Sequence, residues 1–256
     1  MAELEIYQFP CLSDNYGVLI HDAQNNLTAS IDAPEAEAVS RALAEKGWTL
    51  THILTTHHHH DHTGGNLALK NASGCTIVGP RAEAAKIPGI DIPLGEGESY
   101  EFGAYEVQVL DTPGHTAGHI SYVIPQAGVA FVGDTLFAMG CGRLFEGDAR
   151  MMWNSISKIT ALPAETALYC GHEYTLANAE FALSVEPGNP ALQARAKEVR
   201  ELRAQGKPTL PTTLALELET SPFLRVRSPE IRAKFGLEDA EDWEVFAAVR
   251  AAKDNA

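Results

Sequence analysis

"TTHHHHDHTGGN", residues 55–66, puts five histidines and an aspartate within six positions in mid-chain, directly after the apolar pair Ile53-Leu54. A purification tag sits at a terminus and lacks the interrupting Asp61 and the Gly64-Gly65 pair that follows. A metal site explains the run better, because neutral imidazole is the commonest protein ligand for transition metals. The spacing suits two ions. His57 and His59 lie two apart and point the same way in extended backbone. Asp61 and His62 are adjacent, must diverge, and so serve a second ion.

The same arrangement recurs along the chain. "HILTT" runs into His57, "VQVLDTPG" into His115, "AFVG" into Asp134 and "ALYCG" into His172. In each case an apolar, strand-like run ends and a residue able to ligate a metal follows. Ligands at the ends of strands of one sheet share an edge and are held by rigid elements. One carboxylate with two oxygens can bridge two ions about 3.5–4 Å apart, and Asp134 is the candidate bridge. One set is then His57, His59, His115 and Asp134; the other is Asp61, His62, His172 and Asp134. Three or four protein ligands per ion leave an open position, the mark of a catalytic metal rather than a closed structural one. An all-nitrogen and oxygen donor set suits zinc, iron or manganese.

Not every histidine earns this reading. A lone histidine is more often packed or exposed than ligating. His58 and His60 fall on the opposite face of the extended loop and read as packing or supporting residues. His21, His52 and His119 read as satisfied or exposed side chains.

The bulk numbers narrow the partners. The chain has 256 residues, 45% hydrophobic and 21% charged, enough for one large α/β domain with a smaller one attached. Nineteen basic against 34 acidic residues give a net charge of -15, which disfavours nucleic acid as a partner. The four cysteines, Cys11, Cys75, Cys141 and Cys170, form no CxxC pair and read as buried hydrophobes in a reducing compartment. Neither a basic, apolar leader nor a run of about 18 apolar residues is visible. The expectation is a cytoplasmic protein that does not engage a membrane and acts as a monomer.

The predicted elements fall into two parts. In residues 1–173, "YGVLIHD" (16–22) and "NLTASID" (26–32) read as a strand pair, and 33–47 as a helix with Pro34 in its first turn and Gly47 at its end. A second helix is predicted from Thr63 to Gly74. Further strands are predicted over 76–80, 105–115, 119–125, 128–134 and 166–172. In residues 174–256 the texture turns helical. "EPGNP" breaks the chain, and 189–206 is a helix capped by Asn189 with Pro190 in its first turn. Residues 207–229 are mostly loop with one short helical stretch, and 237–256 form a last helix. The boundary is placed at residue 173.

With these residues in view, "THHHHDH" resembles the signature of the metallo-β-lactamase superfamily. "FPCLSDNYG" (9–17), "DTPGHTAGH" (111–119), "GDTLFAMGCGRLFEG" (133–147), "CGHEYTLAN" (170–178), "PTLPTTLALELETSPFLR" (208–225) and "VRAAKD" (249–254) are similar to the glyoxalase II family within it, the hydroxyacylglutathione hydrolases. The resemblance implies an α/β fold, the αββα metallo-β-lactamase sandwich, followed by a small C-terminal α-helical domain that binds substrate. It places the seven ligands on the residues proposed from spacing, with two divalent ions per chain, zinc foremost. It maps contacts to a glutathione thioester onto Arg143, Phe145, Tyr174, Arg250 and Lys253. Where many members carry Lys and Tyr, this chain has Arg143 and Phe145; the charge is kept and a phenolic hydroxyl is lost. Arg250 and Lys253 by themselves read as solvated cations near a helix C-terminus; the resemblance makes them substrate contacts.

The activity so implied is hydrolysis of S-D-lactoylglutathione to glutathione and D-lactate, the second step of methylglyoxal degradation. A hydroxide bridging the two metals would attack the thioester carbonyl, with Asp61 and Asp134 as the catalytic carboxylates. Three competing readings exist: a mononuclear iron sulfur dioxygenase of the same superfamily, an RNA-processing nuclease, and a non-enzymatic metal-binding module. The complete second ligand set, the acidic balance and the open coordination argue against them in turn.

Overall fold

The structure, a computed structural model, describes residues 3–256; Met1 and Ala2, part of the predicted first domain, lie outside the described residues. The chain divides into two compact units. One runs up to Asp111 and takes in Thr116–Gly133; the other comprises Thr112–His115 and Asp134–Ala256.

In the first unit, strands β1 (Glu5–Cys11), β2 (Asn15–Asp22), β3 (Leu27–Ile31), β4 (His52–Leu54), β5 (Thr76–Pro80) and β6 (Ile92–Leu94) form one sheet in that order. β1 to β3 pair antiparallel and β3 to β6 parallel. Helices α1 (Ala36–Lys46), α2 (His60–Thr63) and α3 (Asn66–Ser73) lie between these strands in sequence. Val39 and Leu43 of α1 and Leu69 of α3 cluster with Leu19, Ile53 and Ile77 of the sheet. Strands β7 (Ser99–Phe102), β8 (Tyr105–Asp111), β9 (Ile120–Ile124) and β10 (Val129–Gly133) are antiparallel neighbours. Fully buried Tyr122 of β9 donates its hydroxyl to the carbonyl of Thr55, just past β4, at 2.8 Å. That bond ties this array to the end of β4, where the histidine run begins.

The second unit holds the hairpin β11 (Leu136–Phe137) and β12 (Gly140–Cys141), helix α4 (Ala149–Thr160), strand β13 (Ala167–Cys170), helices α5 (Thr175–Val185) and α6 (Pro190–Ala204), strand β14 (Thr212–Thr213), and helices α7 (Leu214–Thr220), α8 (Pro229–Phe235) and α9 (Asp242–Asp254). β13 pairs antiparallel with β14. Phe223, Phe246, Val245 and Val249 pack with Met152 and Ile156 of α4 and Phe181 of α5 in one buried cluster.

Local chemistry explains the boundaries. Asn189 caps α6 by accepting from the N–H groups of Ala191 and Leu192, with Pro190 next, as predicted. Gly47 ends α1 at φ 70, a left-handed conformation that costs glycine little. Three predicted helices are corrected. α1 begins at Ala36, leaving Pro34 outside it. The preceding backbone pairs with the histidine loop instead: the Ala33 N–H donates to His62 O at 2.9 Å, and the Gly65 N–H donates to Ala33 O at 2.8 Å. For the same reason the segment predicted as one helix from Thr63 is two, α2 and α3, broken at Gly64-Gly65. A Cβ on Gly64 would lie 2.9 Å from the Pro34 carbonyl, and one on Gly65 would lie 2.8 Å from the Ala36 nitrogen. The last helix starts at Asp242 rather than 237, after a separate α8.

Candidate metal centre and substrate site

In the first unit, four of the predicted ligands lie together. His57 Nε2 and His59 Nδ1 are 3.1 Å apart. His62 Nε2 is 3.7 Å from Asp61 Oδ2, and the His57 and His62 rings are 4.1 Å apart. His57, His62 and Asp61 each have an orienting partner. Thr56 Oγ1 lies 3.0 Å from His57 Nδ1, which leaves Nε2 for another bond. Asp32 Oδ2 lies 2.8 Å from His62 Nδ1, so the ring donates there and Nε2 presents its lone pair. Asn15 donates its amide to Asp61 Oδ2 at 3.2 Å. Such outer partners fix the tautomer and direction of a metal-ligating group.

Asp32 was not singled out from the sequence, although it follows a strand as the ligands do. It also accepts from the Thr56 N–H at 2.7 Å and the Thr56 hydroxyl at 2.9 Å. Its φ of 55 is left-handed, uncommon for a residue other than glycine. His119 is also more than a packed bystander: it is fully buried and stacks on His57 at 4.8 Å. The neighbouring Gly133 leaves room for it, since a Cβ there would lie 2.6 Å from His119 Nε2. His58 supports the loop as predicted: its N–H donates to Glu83 Oε2 at 2.8 Å, and the other Glu83 oxygen accepts from the Gly118 N–H. His21 beside Thr28 and Trp48, and His52 beside Thr51 and Tyr100, are satisfied by local partners. Burial lowers the pKa of His52.

In the second unit, Asp134 stands between the other two predicted histidines. Its Oδ2 is 3.4 Å from His115 Nε2 and 3.3 Å from His172 Nε2. One carboxylate oxygen thus lies beside a histidine from each predicted set. His115 Nδ1 donates to the Arg143 carbonyl at 2.9 Å. The turn bearing His115 fits because Gly114, at φ 145, lies under α4; a Cβ there would meet Met152 at 2.8 Å.

The predicted substrate contacts all belong to this second unit. Phe145 is 62% exposed, with its ring edge-on to His115 at 5.3 Å. Tyr174 stacks flat on His172 at 4.7 Å. Lys253 reaches the Ala177 carbonyl at 3.1 Å and lies over the Phe181 ring. Its pKa is lowered by burial and then by the charges of Arg250 and Arg143, so both arginines lie within electrostatic reach of Lys253. Arg250 is buried at 5% exposure; it donates to the Cys141 carbonyl at 2.7 Å and to Asp254 at 2.9 Å.

Comparison with known proteins agrees with this chemistry. A family model for the metallo-beta-lactamase superfamily matches residues 27–172, and one for the hydroxyacylglutathione hydrolase C-terminus matches 173–256. A hydroxyacylglutathione hydrolase of Brucella ovis is 59% identical over 251 residues, covering 98% of each chain. The chain belongs to the hydroxyacylglutathione hydrolase family. Among solved structures, ETHE1 from Myxococcus xanthus is similar at 28% identity and a TM-score of 0.67, over 97% of this chain and 98% of that one. TTHA1623, solved in a di-iron-bound form, is similar at 25% identity and a TM-score of 0.63, over 85% of this chain and all of the other. The fold is therefore the metallo-β-lactamase fold, carrying the helical C-terminal region of the hydroxyacylglutathione hydrolases. The His/Asp clusters of this family member are donor sets for divalent metal ions. Cys11, Cys75, Cys141 and Cys170 are all free and buried, and none belongs to these clusters among the described residues. Among the described residues no helix is long and apolar enough to cross a membrane.

Proposed function

We propose that this chain hydrolyses S-(2-hydroxyacyl)glutathione thioesters, S-D-lactoylglutathione foremost, to glutathione and a 2-hydroxy acid. The observation that carries the reading is the composition of the second unit. Asp134, flanked by His115 and His172, and the cationic trio Arg143, Arg250 and Lys253 belong to one compact body, joined by the bond from His115 to the Arg143 carbonyl. That grouping supports a site in which metal donors and a receptor for an anionic substrate are built together.

The donor chemistry fits two ions. His57, His59, His115 and Asp134 would hold one; Asp61, His62, His172 and Asp134 the other. Zinc is our first assignment, with iron and manganese suited to the same donors. When bound, such ions activate water at neutral pH and stabilise the oxyanion of an acyl-transfer transition state. The protein's own part is orientation. Asp32 and Thr56 hold His62 and His57, Asn15 holds Asp61, and the Arg143 carbonyl holds His115. Asp61 and Asp134 are the catalytic carboxylates. Arg143, Tyr174, Arg250 and Lys253 recognise the glutathione moiety, whose carboxylates pair with cations. Phe145 offers an exposed apolar ring beside His115. The departing thiol, with a pKa of about 8.5, leaves as thiolate without a strong general acid.

We assign residues 1–173 to the catalytic domain, 174–256 to the substrate-binding domain, and the protein to the cytoplasm as a monomer. Its four buried, unpaired cysteines support a reducing compartment. The deciding experiment compares hydrolysis of S-D-lactoylglutathione with that of a simple acyl thioester, with metal analysis of the same sample. Strong preference for the glutathione ester and two ions per chain are expected. Equal rates on both esters, or one ion per chain, would overturn the reading.

A further inference from the structure

The hairpin of β11 and β12 connects Asp134 at one end to Arg143 at the other. A two-residue-per-strand ribbon is not stable by itself. Here its turn is gripped by side chains from three helices, within four consecutive residues. Asn178 of α5 donates to the Ala138 carbonyl at 3.1 Å. Glu217 of α7 accepts from the Met139 N–H at 2.6 Å. Arg250 of α9 donates to the Cys141 carbonyl at 2.7 Å. Met139 is fully buried and sits at φ 54, a left-handed conformation that an L-residue keeps only when its surroundings impose it. Gly140 lies so close to Asn178 that a Cβ would fall 2.3 Å from the amide nitrogen.

Glu217 is the unexpected member. It has no solvent exposure, and its second oxygen accepts from the Thr212 hydroxyl at 2.7 Å. Burying a carboxylate is costly, and an apolar side chain of the same volume would fill the space at less cost. What an apolar side chain cannot do is satisfy the N–H of Met139 in its constrained turn. We infer that Glu217 is a positioning residue that, through Met139, sets the β11–β12 hairpin and thereby the placement of Asp134 and Arg143. This inference rests on the proposed function for what those two residues do, but its grip on the hairpin is independent of the substrate.

The test compares Glu217→Met, which removes the acceptor at similar volume, with Glu217→Gln, whose amide oxygen still accepts from Met139 and whose amide nitrogen can donate to Thr212. Zinc retention against a chelator, KM and kcat for S-D-lactoylglutathione, and circular dichroism are measured well below the unfolding temperature. Glu217→Met is expected to fold, to lose zinc affinity by about tenfold or more, and to raise KM by a similar factor, while Glu217→Gln restores both. Folded Glu217→Met with parental zinc affinity and KM would overturn the inference, because a space-filling role predicts that result. If Glu217→Met does not fold, Glu217→Asp takes its place: one methylene shorter, it withdraws from Met139. Weakened zinc affinity in it supports the inference and parental affinity overturns it. A parent protein inactive on the thioester would refute the proposed function, and the zinc measurement would still decide the role of Glu217.

Discussion

Asp32 Oδ2 lies 2.8 Å from His62 Nδ1, and both side chains are buried. A carboxylate in that place fixes which ring nitrogen carries the proton and leaves Nε2 to bind a metal. Asp32→Asn tests this cleanly, because asparagine tolerates the left-handed backbone that Asp32 adopts. Metal affinity and kcat/KM are expected to fall about ten- to a hundredfold with the fold intact. Metal titration and steady-state kinetics of the variant check it, and parental values would show that the contact does not orient His62.

Asp134→Ala removes the oxygen that stands between His115 and His172. Both ions and nearly all activity should be lost together. Elemental analysis of the purified variant is the check; two tightly held ions would refute the bridging role.

Phe145→Tyr should improve binding of the glutathione thioester. The ring is 62% exposed, so an added hydroxyl meets no steric cost, and a net gain of about 1 kcal/mol from one hydrogen bond lowers KM roughly fivefold. Competition by S-alkyl glutathione, measured beside KM, reads the same change. No change in either would mean that position 145 does not face the substrate.

Glu217→Gln should remove a pH dependence of stability. Burial pushes the Glu217 carboxyl up to about 7, against the hydrogen bonds from Met139 and Thr212 and the charge of Arg195, which pull it down. The folded state therefore holds this proton more tightly than the unfolded chain, whose carboxyl titrates near its ordinary value of 4.5. The associated stability is complete below pH 4.5 and is lost as pH rises through 7. Relative to Glu217→Gln, the parent should lose roughly 3 kcal/mol across that interval. Urea melts of both proteins at several pH values measure it; parallel curves would contradict the assignment.

Much of this molecule could be read from its sequence because ligands and helix caps leave local signatures. The strand-end rule singles out His57, His115, Asp134 and His172 as candidate ligands, and Asn189-Pro190 marks the start of α6. The same rule, applied to "LTASID", would also have found Asp32. Helix α4 carried a readable pattern in Met152, Ile156 and Ile159 but went unpredicted, as did β1, where Pro10 disguises an edge strand. His119 and Glu217 were not legible. Their roles depend on partners far away in sequence: the ring of His57 for one, the N–H of Met139 for the other.

The state of the four sulfur atoms has a consequence for a protein whose proposed reaction releases a thiol. Burial pushes the thiol of Cys11 up to about 12 and that of Cys141 up to about 11, and it raises Cys170 and Cys75 as well. Attack on a disulfide needs an accessible thiolate, and none of these residues supplies one at neutral pH. Oxidised glutathione accumulating around the protein would therefore find no place to form a mixed disulfide, and turnover should persist through redox stress that inactivates enzymes with reactive cysteines.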